Sequence, residues 1–142
     1  MTRSRTAIVL TAFALALIAA ASWWAWLGWD TTYQKDPRTG VASGPYEAWQ
    51  VIGCVLTLLG AGLAGATLVH PRTLVLMPLG FTVAWSITSA RDDETGLWVV
   101  GAFLVAIGMS VGCLVVGVLG RALAGLLSRD RSRLRARPKP SR

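Results

Sequence analysis

Apolar residues fall in four long blocks separated by short polar stretches, covering about residues 6–29, 48–69, 73–90 and 97–120. None of the four holds an acidic, basic or histidine side chain. At 1.5 Å per residue these blocks reach roughly 27–36 Å, against a bilayer hydrocarbon core of about 30 Å. The pattern predicts an all-α, polytopic membrane protein with four transmembrane helices in residues 1–120, followed by a basic tail, 121–142. The third block is the shortest, and Pro78 is expected to kink it.

Composition agrees with this reading. The chain has 142 residues, 54% hydrophobic and 15% charged, with a mean hydropathy of +0.53. Soluble domains carry nearer a quarter of charged residues. A water-soluble enzyme, a disordered tail and a disulfide-rich secreted module are excluded. The start, Met1-Thr2-Arg3-Ser4-Arg5, with Ala19-Ala20-Ala21-Ser22 further on, resembles a signal peptide. The apolar run continues through Trp23 to Trp29, however, which favours an uncleaved first span.

Charge adds topology. From Arg121 onward there are eight basic residues and one acid, Asp130, whereas the preceding 120 residues are neutral overall. Placing both termini inside puts Arg3, Arg5, Arg72 and the tail on the inner side, eleven cations against Lys35, Arg38 and Arg91 outside. By the positive-inside rule both termini are cytoplasmic, and the outer loops are 30–47 and 91–96. Arg129, Arg131, Arg133, Arg135, Arg137 and Lys139 are expected to touch anionic lipid head groups of the inner leaflet. Their alternate spacing, with Pro138 and Pro140, predicts a flexible polybasic strand rather than a helix. The tail has no aromatic residue to stack on a base, so no nucleic-acid partner is expected.

The two halves resemble each other. A shift of 56 aligns Trp29, Thr32, Asp36, Thr39 and Gly40 with Trp85, Thr88, Asp92, Thr95 and Gly96; a shift of 48 then aligns Gly53 with Gly101 and Gly60 with Gly108. This suggests a tandem parallel repeat of two helical hairpins, related by an axis along the membrane normal. The same Asp-x-x-Thr-Gly pattern is also ordinary turn chemistry, in which Gly supplies positive φ.

Membrane helices associate through close packing of small residues. Gly53, Gly60, Ala61, Ala64 and Gly65 in the second span, with Gly101, Gly108 and Gly112 in the fourth, are expected to form the tight centre of the bundle, within one chain or between copies. All seven tryptophans, Trp23, Trp24, Trp26, Trp29, Trp49, Trp85 and Trp98, fall toward the outer side. They read either as an outer-leaflet anchor or as a docking face for a lipid or partner protein.

Catalytic chemistry is sparse. His70 stands alone, which argues against an ordinary zinc site. Cys54 and Cys113 lie at depths too different for a disulfide. No span carries the ionisable group that proton-coupled transporters and pumps place in the membrane. Buried Thr and Ser side chains are expected to bond their own helices or neighbouring ones. The outer acids Asp36 and Asp92 could bridge a hard cation, but the loops lack a calcium-binding pattern. No metal, cofactor or catalytic residue is expected.

Twelve arginines against two lysines suggest a high-GC bacterial coding bias. With the stretch 29–36 and Gly44-Pro45-Tyr46-Glu47-Ala48-Trp49-Gln50-Val51, the chain resembles small four-helix integral membrane proteins of actinobacterial type. The resemblance covers architecture and implies no activity. The expected role is a non-catalytic accessory or scaffolding subunit of the bacterial plasma membrane, with a membrane-protein partner or a second copy. The alternative is a small oligomeric channel or facilitator for a neutral solute.

Overall fold

The computed structural model describes residues 2–30, 34–35, 38, 40, 42–44, 46–93 and 95–135. Helix α1 spans Thr2–Trp26, α2 Ala48–Leu68, α3 Met77–Asp92 and α4 Trp98–Arg135, with a 3-10 segment, Pro71–Leu76, before α3. Two residue pairs in the first loop, Gln34–Lys35 (β1) and Ala42–Ser43 (β2), form a minimal antiparallel ladder. Four stretches are long and apolar enough to cross a membrane: Arg5–Trp26, Ala48–Leu68, Pro71–Arg91 and Trp98–Ser128. The chain is a multi-pass membrane protein of the all-α class.

Local chemistry sets the boundaries. The first span stops at Trp26 and turns through Leu27, Gly28 and Trp29, shorter than expected. Glu47 and Gln50 form a capping box at the start of α2, with the Glu47 N–H donating to Gln50 Oε1 at 2.6 Å. His70 Nδ1 accepts from the Arg72 N–H at 3.1 Å and so caps the 3-10 segment. Pro78 lies in the first turn of α3, where a missing N–H breaks no helical bond. The third span therefore changes from 3-10 to α at Leu76/Met77 instead of kinking in its middle.

The polybasic strand expectation is corrected. Helix α4 runs unbroken for 38 residues and includes Arg129, Arg131, Arg133 and Arg135; Arg137 and Lys139 lie outside the described residues. Between Gly125 and Pro138 the sequence has no glycine or proline and is rich in Leu and Arg, which are good helix formers.

Helix α1 packs on α2 and α3, and α4 packs on the same two, so the order around the bundle is α1-α2-α4-α3. Like-directed helices are neighbours: α1 beside α3, and α2 beside α4. A two-fold axis along the membrane normal that exchanged the hairpins would set α1 diagonal to α3. The expected axial relation is therefore absent, and the hairpins stand side by side as if translated. The two aligned glycines do share a conformation. Gly40 (φ 66°) and Gly96 (φ 77°) are the positive-φ residues among those described.

The core follows one face of α1. Ala12, Leu15, Ala19, Trp23 and Leu27 are buried against Leu74, Met77, Phe81 and Ala84, with Cys54 and Ala66 from α2 and Val116 from α4. Only 6% of the α4 span is buried, against 22–28% for the other three. Helix α4 is the peripheral element.

Candidate functional site

The bundle has a loop end, where 30–47 and 93–97 connect the helices, and a terminal end, where α1 begins and the α2 to α3 turn lies. The loop end is built around Trp23, which is 2% exposed. Its ring meets Phe81, Tyr46 and Trp85 edge-on, with centroids 5.7, 5.8 and 6.5 Å away. Its indole N–H donates to Thr88 Oγ1 at 3.1 Å. Such T-shaped pairs combine large buried area with favourable quadrupole contact. Trp26 lies at the α1–α2 seam, donating to Thr57 Oγ1 at 3.1 Å and meeting Trp49 edge-on at 6.2 Å.

The expected aromatic face is corrected accordingly. Trp23 is interior, Trp26, Trp85 and Trp98 are half-buried, and only Trp24, Trp29 and Trp49 are exposed. The reason is geometric. Trp23 and Trp26 lie about 60° apart on one broad face of α1, turned toward α3 and α2, whereas Trp24 is about 100° round from Trp23 and exposed. Trp29 donates its indole N–H to Ala25 O at 3.1 Å, and Trp49 to Glu47 Oε2 at 2.6 Å. Both exposed rings are thus held by short-range bonds.

The two hairpins use tryptophan in the same way. A Cβ on Gly53 would collide with the Trp26 ring, and one on Gly101 would collide with Trp85. Gly53 and Gly101, paired by sequence, each lie under an indole. The indole over Gly53 is Trp26, however, not the Trp29 that aligned with Trp85.

Within one chain, the close-packed glycine face is also corrected. Gly60, Gly108 and Gly112 are exposed, and a Cβ on any of them would meet nothing within 4 Å. Gly108 and Gly112 border an open cleft of about 200 Å³ between α2 and α4. Ala61 is half-buried, packed against the core, whereas Ala64 is exposed. Gly65 is buried, with Leu15 Cδ1 2.7 Å from where its Cβ would stand.

A closer approach lies elsewhere, at Gly80 of α3, where a Cβ would strike the carbonyl of Ala16 in α1. Gly62 against Val116 and Gly120 against Ala66 join α2 to α4. Sequence reasoning missed these positions, although Ala12, Ala16 and Ala20 repeat at four-residue intervals in α1. That spacing is the small-residue signal for a close partner.

Buried polar groups are spent on structure, except the Thr82 hydroxyl, which departs from the expectation and has no hydrogen-bond partner among the described residues. Ser22, Thr57, Thr67, Thr88 and Ser110 hydroxyls donate to carbonyls three or four residues back in their own helices. Gln50, 1% exposed, donates through Nε2 to Asp30 Oδ2 at 3.3 Å and so ties α2 to the end of α1. Asp93 accepts from the Thr95 hydroxyl and N–H and from the Trp98 N–H, capping α4. The Thr95 bonds, helped by Trp98 N–H, hold its carboxyl below the usual aspartate range. This Asp93-x-Thr95 turn supplies the cap.

Both cysteines are free, with Cys54 buried beside Ser22. Among the described residues no group of three or more His, Cys, Asp or Glu could hold a metal ion. The cation bridge from Asp36 to Asp92 cannot be drawn, because Asp36 lies outside the described residues. No protein-family model, curated protein or solved structure matches the chain.

Proposed function

We propose that the chain is a non-catalytic accessory or scaffolding subunit of the bacterial plasma membrane that binds a membrane-protein partner at its loop end. The observation that carries this reading is the exposed trio Trp24, Trp29 and Trp49, at 46, 61 and 53%. Two of these rings are fixed by hydrogen bonds, so docking on them costs little side-chain entropy. The eleven-to-three cation count supports cytoplasmic termini, which puts the trio on the outer side. On the inner side, Arg129, Arg131, Arg133 and Arg135 on α4, followed by Arg137 and Lys139, would attract anionic lipid head groups at about 1 kcal/mol each.

The alternative, an oligomeric channel for a neutral solute, would need its conduit between copies. Leu15, Ala19, Trp23, Met77 and Phe81 fill the inside of the described bundle. The test is a photo-crosslinking residue placed in turn at Trp29, Trp49 and, as a control, Val118 on α4. A discrete protein adduct from 29 and 49 but not from 118 supports the reading. Identical products from all three positions, or lipid adducts alone, would overturn it.

A further inference from the structure

A groove of about 620 Å³ lies at the terminal end, between α4 and the 3-10 segment with the start of α3. Its volume falls in the range of about 300–1,000 Å³ usual for ligand sites. Val75 and Pro78 form one wall, and Leu114 and Val118 the other. The two charged residues that line it are Arg72 and Arg121. Both are exposed.

The α4 wall runs from Ser110 to Arg121, a rise of about 16 Å. That is about half of a 30 Å hydrocarbon core, the depth of one leaflet. Ser110 lies near the middle of the span that starts at Trp98, and Arg121 is the first charged residue after Trp98. The groove thus has cations at its water end and hydrocarbon-depth walls beyond them.

The inner part offers little to a polar ligand. The Ser110 hydroxyl is already donated to Ala106 O at 2.7 Å. Pro71 and Pro78, both lining residues, bring no N–H. At the mouth, two guanidinium forks suit a phosphodiester better than a single point charge would. Competition from carboxylates is slight. Six of the seven acids lie between residues 30 and 94, in the loop-end segments, and the seventh, Asp130, is nine residues past Arg121.

From this juxtaposition we infer that the groove binds one anionic phospholipid, its phosphate between Arg72 and Arg121 and an acyl chain lying along α4 toward Ser110. The site is independent of the loop-end tryptophans and of the arginines beyond Ser128. It would tie the peripheral helix α4 to the third span through a lipid.

Native mass spectrometry of the full chain, released from detergent containing equal phosphatidylglycerol and phosphatidylcholine, tests the inference. One phosphatidylglycerol per chain should be retained in preference to phosphatidylcholine. The pair Arg72→Gln with Arg121→Gln should lower that retention at least tenfold, and the corresponding pair of lysine substitutions should fall between. Replacing Arg129, Arg131, Arg133 and Arg135 with Gln should leave the single bound lipid in place. Soluble glycerol phosphate, at the same concentration, should not displace it. Retention unchanged by the Arg72/Arg121 pair, or lost with the four distal arginines instead, would overturn the site. Displacement by glycerol phosphate would replace a lipid with a free phosphate ester and overturn it equally. Failure of the crosslinking test at Trp29 and Trp49 would leave these outcomes unchanged.

Discussion

Glycine serves opposite ends at two seams of this bundle. Between α1 and α3, Gly80 lets two backbones meet, and the Ala16 carbonyl occupies the space a side chain would need. Along the outer side of α2 and α4, Gly60, Gly108 and Gly112 face open space. By composition the second set looked the richer packing surface. The difference shows that a small residue permits close approach without causing it. What closes a seam is a matching small surface on the partner, here Ala16 in the Ala12, Ala16, Ala20 row of α1.

The largest expected effect tests that closed seam. Gly80→Leu should destabilise the fold by more than about 4 kcal/mol, since backbone and not a mobile side chain stands in the way. Gly80→Ala should already lower the melting temperature in detergent. A wild-type melting temperature for Gly80→Leu would show that α1 and α3 do not meet there.

Next comes the ring that fills the same seam near the loop end. Trp23→Ala removes a fully buried indole with three aromatic neighbours, and a loss of about 3–5 kcal/mol is expected. Trp24→Ala, one residue along and 46% exposed, should change stability by no more than about 0.5 kcal/mol. Equal losses in chemical denaturation would erase the distinction between interior and surface tryptophans.

The legible and illegible parts of the molecule divide along the same line. Four spans could be read because crossing a bilayer fixes length and apolarity. Gly40 and Gly96 could be read as turn glycines because positive φ is a local demand. Faces could not be read. In a soluble helix, polar residues mark the side away from the core. A membrane helix is apolar all round, because lipid tails and neighbouring helices accept the same side chains. Hence Trp23 and Trp24 look alike in sequence, and Gly60 looks like Gly62, although Gly62 is buried against Val116. The extension of α4 to Arg135 was missed for another reason: charge spread around the axis says where cations point, not whether a helix forms.

A third, smaller effect is expected where α1 and α2 join. Gln50→Leu removes the acceptor for the Glu47 N–H and a donor to Asp30; Gln50 is buried, but Glu47 is exposed and Asp30 half-buried, so water can replace part of what is lost. A loss of about 0.5–1.5 kcal/mol should follow, the usual net worth of a hydrogen bond. Hydrogen exchange should rise in the first turn of α2 and not at Gly80. Exchange that rose evenly through all four helices would mean that Gln50 holds the whole bundle.

Smaller again is the pH response of the Asp93 cap. Bonds from Thr95 and Trp98 lower the folded carboxyl's pKa, so its contribution is present above the ordinary aspartate range, near pH 4. It is lost as pH falls through the lower folded value. The stability difference between wild type and Asp93→Ala should therefore be constant from neutral pH to about pH 5 and shrink below about pH 4. A difference that grew on acidification would reverse the sign and exclude the cap.

The smallest expected effect is the one that bears hardest on the two kinds of glycine. Gly60→Leu and Gly108→Leu add side chains where a Cβ meets nothing within 4 Å. In the isolated chain each should shift stability by no more than about 0.5 kcal/mol, as surface substitutions do. Helix propensity even favours leucine over glycine by up to about 1 kcal/mol, so a slight gain is allowed. Composition alone would instead expect both to disrupt the bundle as Gly80→Leu does. Measuring the three variants together in one detergent separates the accounts. If Gly108→Leu destabilises the monomer as strongly as Gly80→Leu, the cleft between α2 and α4 is closed in the folded protein. If it leaves the monomer intact but abolishes a dimer seen by crosslinking in membranes, the open glycines pack between copies, and permission to approach is used only when a second chain supplies the matching surface.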